Sequence, residues 1–149
     1  MEIMMITWNE VLENREKWEA ALVSGKFKQA KGVLNNRDTG GFCCLGVACE
    51  IIPSLKESAV PNETVLENYA GPVAKTATTG YGELHEKYCA PHELVVLLGL
   101  IGAEGEDATH SSTLTRLNDD GMPFETIADR IKTGQFYITE DEWKFENAK

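Results

Sequence analysis

Gly-Gly-Phe-Cys-Cys-Leu-Gly-Val-Ala-Cys-Glu-Ile-Ile-Pro, residues 40–53, constrains this chain more than any other stretch. Cys44, Leu45, Ala48, Ile51 and Ile52 recur at helical spacing, so residues 43–52 are expected to form a short helix with one buried face. Pro53 ends it, because a proline inside a helix removes a hydrogen bond and clashes with the preceding turn. Gly46 is a poor helix former, and its place in the apolar run is expected where another element approaches closely.

Two readings of the adjacent thiols follow. At a helix start the macrodipole and free N–H groups favour a thiolate, which is the setting of a cysteine nucleophile. A hydrolase built on Cys43 or Cys44 would need a base, with His85, His92 and His110 as candidates. Alternatively, small apolar thiols pack tightly beside Gly46. The packing reading is preferred, and no catalytic residue is assigned.

The four cysteines do not suggest a disulfide framework, because Cys43 and Cys44 are neighbours and vicinal residues rarely bridge. They lack paired Cys-x-x-Cys spacing, and the three histidines do not supply the missing ligands. No metal and no cofactor are expected. A chain of 149 residues, 42% hydrophobic and 26% charged, is the size and composition of one globular domain spanning residues 1–149. The longest apolar run, residues 94–101, is too short to cross a bilayer. Residues 1–5 lack the basic region of a secretory leader, so a cytoplasmic location is expected.

Elsewhere the pattern is mostly helical. Val11, Arg15, Trp18 and Leu22 mark an amphipathic helix over 8–24, capped by Thr7 or Asn9 and closed by Gly25. Residues 26–34 are ambiguous between strand and irregular structure, and 35–41 read as a turn. Pro61-Asn62-Glu63 suggests a short helix through Tyr69, and residues 75–82 an exposed loop. Further helices are expected from Pro91 to about Ile101, over 112–118 and over 123–133. A short strand at 135–139 precedes a final helix opened by the capping box Thr139-Glu140-Asp141-Glu142. The expected fold is a single compact domain, mainly α with a small β element (α+β).

The net charge of -10 argues against nucleic-acid and anionic-membrane partners, whose phosphates would be repelled. The charge is uneven. Residues 61–149 hold 16 acids and 7 bases, whereas residues 1–60 hold 8 and 7. Lys26, Lys28, Lys31 and Arg37 fall in a window free of acids, together with Phe27 and Gln29. Lysines and backbone N–H groups hold phosphates and aromatics stack on bases, so Lys26, Phe27, Lys28, Lys31 and Arg37, with Tyr81 as a second stacking surface, form the candidate ligand site. Neither phosphate-loop nor dinucleotide spacing occurs.

Residues 123–129 have the character of the first helix of a helix-turn-helix, but strand-like Gln135-Phe136-Tyr137-Ile138 stands where a recognition helix belongs. Asp119 and Asp120 offer carboxylates to a cation, although Asn-Asp-Asp-Gly is also ordinary turn chemistry.

Three blocks together resemble a family of small hypothetical proteins of tailed phages and prophages. They are Trp18-x-x-Ala21-Leu22-x-Ser24-Gly25-x-Phe27-x-Gln29, Phe42-Cys43-Cys44-Leu45-Gly46-Val47, and Leu114-x-x-Leu117-Asn118-Asp119-Asp120-Gly121-x-x-Phe124-x-x-Ile127-Ala128-Asp129. The resemblance implies an accessory protein acting in the host cell cytoplasm. Its expected role is non-catalytic counter-defence by sequestering a small phosphorylated or nucleotide-derived immune signal. Symmetric homo-oligomers would suit such a role. The alternatives are an acidic inhibitor that contacts a host defence protein, and the cysteine hydrolase.

Overall fold

The computed structural model describes residues 6–68 and 71–147, with the side chains of residues 65–74 left aside. Helix α1, Trp8–Val23, starts at Thr7, whose hydroxyl accepts the Glu10 N–H at 3.2 Å. It buries Val11, Trp18 and Leu22 along one face, as the apolar spacing requires. Arg15 shares that side and is used differently. Its guanidinium donates to the carbonyls of Leu98, Gly99 and Ile138 and lies over the rings of Trp8 and Tyr137.

Three two-residue strands follow: β1 (Lys28–Gln29), β2 (Asn35–Asn36) and β3 (Gly41–Phe42). Helices α2 (Cys44–Ile51) and α3 (Pro53–Glu57) come next. Pro53 ends α2, and it also opens α3, with Ile52 serving as the cap of both.

The main departure from the sequence reading lies in residues 60–80. In place of a helix and an exposed loop, β4 (Val60–Asn68) and β5 (Gly71–Gly80) form a long antiparallel hairpin. Tyr69, where that helix was expected to end, lies outside the described residues. Paired threonines explain the difference. Thr64 and Thr78 sit on one buried face with hydroxyls 3.1 Å apart, and Thr76 faces Thr64 in register. β-Branched residues favour such a surface, but the contact joins segments that helix signals, read locally, cannot see.

The sheet order is β1-β3-β2-β5-β4, with β1 parallel to β3 and every other pairing antiparallel. Five strands among the described residues make this a mixed α+β fold, and "mainly α" understates the sheet.

The remaining helices are α4 (His92–Leu98), α5 (Leu114–Asp119), α6 (Phe124–Thr133) and α7 (Glu140–Asn147). α4 stops at Gly99, which adopts φ +64°. The strand expected at 135–139 is reduced to a single bridge between Tyr137 and Leu100. α1, α2, α4, α5 and α6 enclose the principal core around Trp18, Leu45, Leu94, Leu98, Leu114 and Ile127. α7 closes a smaller cluster through Trp143, Val11 and Val96. Among the described residues no helix is long and apolar enough to cross a membrane.

Candidate functional site

The three distinctive sequence blocks meet at one buried side chain, Asn118 at the end of α5. Its Oδ1 accepts from the Gln29 amide at 2.9 Å and from the Cys44 N–H at 3.2 Å. Its Nδ2 donates to the Ala30 carbonyl at 2.7 Å. Gln29 also donates to the Met122 carbonyl at 2.8 Å, and Asp119 accepts the Gly32 N–H at 2.8 Å. The indole of Trp18 donates to the Cys44 carbonyl at 2.8 Å. The blocks are therefore one structural joint, and the second hydrogen of the Asn118 Nδ2 reaches Asp119 at 3.4 Å, so every amide position is occupied.

The same joint governs the thiols. Cys43 caps α2 by accepting the Gly46 N–H at 3.4 Å, and the Cys44 thiol points to the Leu114 carbonyl at 3.6 Å. Cys43, Cys44 and Cys49 are buried, and burial pushes all three thiols up, Cys43 to about 11. Desolvation outweighs the helix N-terminus, so the thiolate expected of a nucleophile is disfavoured. His85, His92 and His110 are exposed. Gly46 shows why the run is so small: a Cβ there would lie 1.7 Å from the Leu34 carbonyl oxygen. Asp119 is held by Gly32, and Asp120 faces Arg116 at 3.9 Å. Among the described residues no group of three or more His, Cys, Asp or Glu is placed to hold a metal.

The basic window is split by the fold. Lys26 and Phe27 line an open cavity of about 450 Å³ with Lys17, Ala20 and Ala21 of α1, Ser24 at its C-cap and Ile51 of α2. Phe27 is fixed edge-on against Phe42, with ring centroids 5.6 Å apart. Lys28 donates to the Thr39 carbonyl at 3.3 Å, and Lys31 lies beside the turn at Gly121. Arg37 latches the hairpin, donating to the carbonyls of Thr78 at 2.9 Å and Asn62 at 3.0 Å.

Tyr81 is fully buried between Asn35 and Glu50, and burial pushes its hydroxyl up. Its ring has no face for a ligand, which corrects the stacking role expected of it. Lys28, Lys31, Arg37 and Tyr81 are thus not gathered with Lys26 and Phe27. Lys17, in the middle of an amphipathic helix, is not distinguished by sequence alone as part of this lining. The available signal was its place beside small Ala20 and Ala21 on an outward face, where a groove can form.

A family model, a domain of unknown function (DUF8296), matches residues 11–135. The chain belongs to the DUF8296 family. The matched region contains the Asn118 joint and the cavity, whereas α7 lies beyond it. No curated protein and no solved structure matches the chain.

Proposed function

We propose that this DUF8296 chain is a non-catalytic binding protein for a small phosphorylated or nucleotide-derived ligand, held in the Lys17–Lys26–Phe27 cavity. The single observation carrying this reading is that the cavity joins two cations, an immobilised aromatic ring and an apolar floor. A phosphate needs the first, and a planar heterocycle uses the other two. The volume of about 450 Å³ suits a mononucleotide-sized molecule. The C-terminal end of α1 opposes an anion there, so both lysines have to take part.

The resemblance to phage proteins supplies the biological context: depletion of a host immune signal by mass action, which needs affinity and abundance but no turnover. Incubation with a bacterial nucleotide extract, followed by denaturation and mass spectrometry of the released material, tests the reading. A bound phosphorylated compound is expected from the wild type, with about tenfold or greater loss in Lys17→Glu or Lys26→Glu. Recovery of no ligand at saturating nucleotide would overturn it.

A further inference from the structure

Helix α7 carries a feature that neither the core nor the proposed ligand site uses. Trp143 fastens the helix to the body: it is buried, its indole donates to the Val96 carbonyl at 2.9 Å, and its ring lies 5.7 Å from that of Trp8. Phe145, two residues on, therefore points away from the body and is 80% exposed. Asp141, Glu142 and Glu146 share one surface depression with it and are exposed. The capping box at Thr139 and the Lys144–Glu140 pair at 2.6 Å hold this helix in shape, so the ring is displayed from a rigid support.

An exposed aromatic ring ringed by acids is complementary to an apolar cavity rimmed by bases. The chain contains such a cavity, with Ala20, Ala21, Phe27 and Ile51 as walls and Lys17 and Lys26 at the rim. A chain's own Phe145 cannot fill it. α7 is fastened beside Trp8 at the start of α1, while the cavity begins at Lys17 and runs past the C-terminal end of that helix, about 14 Å or more further along its axis.

We infer that Phe145 of a second copy seats in the Lys17–Lys26 cavity, its flanking carboxylates meeting the two lysines. Made reciprocally about a two-fold axis, the contact closes an isologous dimer; made head to tail it is heterologous and closes into a ring if the rotation allows. With a net charge of -10, two copies repel in most orientations, and this juxtaposition brings opposite charges together. The inference stands independently of the ligand reading, because it concerns the empty protein. If that reading also holds, the ligand and α7 compete for one cavity.

Sedimentation velocity on nucleotide-free protein across a wide concentration range is the test. The wild type is expected to self-associate, and Phe145→Ala to weaken association by about 30-fold or more, as for an interface anchor. Lys17→Glu/Lys26→Glu should do the same. Both changes are on exposed side chains, and unchanged melting curves would show that the fold is intact. Mixing the two variants should produce a one-to-one complex, since one retains the cavity and the other retains Phe145. A wild type that stays monomeric would overturn the inference. So would self-association indifferent to Phe145→Ala, or a Phe145 dependence seen only in capture of a basic host protein by an otherwise monomeric chain.

Discussion

Gly46 and Asn118 are the two residues on which the central joint depends. Replacing Gly46 with alanine would drive a methyl group into the Leu34 carbonyl at a nominal 1.7 Å, so the backbones must separate. We expect a loss of about 3 kcal/mol of stability by urea denaturation, at the upper end of overpacking costs. Asn118→Ala leaves the Cys44 N–H and the Ala30 carbonyl without the partners Asn118 supplies, in a fully buried position. A loss of about 3 kcal/mol is expected there as well. Asn118→Asp would not rescue it, because a carboxylate cannot donate to Ala30.

The thiols add a pH dependence at the same scale. Cys43, Cys44 and Cys49 stay protonated in the folded protein, whereas in the unfolded chain they ionise near their ordinary value of 9.0. Unfolding then releases protons, so the stability they contribute is complete below pH 9.0 and is lost as pH rises. For Cys43 the window closes at about 11. The urea midpoint should fall above this onset, with a limiting slope of about 1.4 kcal/mol per pH unit for each thiol. Cys43→Ala should reduce that slope by one thiol's share.

Among the elements, the hairpin of β4 and β5 is the least self-sufficient. A two-stranded ribbon is marginal in water, and this one is tied to the body by the short β2 pairing at Asn36 and Thr78 and by Arg37. Arg37→Ala should therefore loosen the hairpin without unfolding the core. Amide exchange in Val60–Asn68 and Gly71–Gly80 is expected to accelerate by about tenfold or more, against little change in Trp8–Val23. Equal acceleration throughout would show that the latch supports the whole fold. Arg37 thus has a structural task, although its type and position resemble those of an anion ligand.

For the whole molecule, charge is the controlling quantity. The net charge of -10 resides mainly in residues 61–149, and screening should relieve that self-repulsion. Raising salt from about 10 to about 200 mM is expected to raise Tm by a few degrees. If the proposed ligand reading holds, the same screening should weaken capture through Lys17 and Lys26, so stability and binding would respond to salt in opposite directions. A parallel decline in both would contradict this division.

Local pattern alone determined much of the framework. The face of α1, the buried run at 43–52, the helix ends at Thr7 and Pro53 and the capping box at Thr139 all lie within one or two turns of chain. Their causes are steric periodicity and short-range hydrogen bonds, which spacing displays directly. Gly46 was also legible as a close-approach residue, though not what would approach it.

Only the tertiary structure decided the hairpin, the joint and the cavity. Thr64 meets Thr78, Gln29 meets Asn118, and Lys17 joins Lys26 and Phe27 through packing between distant segments. The same packing removed Tyr81 from solvent and committed Arg37 to carbonyls. A sequence shows which groups can bind an anion, but burial and competing internal partners determine which are free to do so.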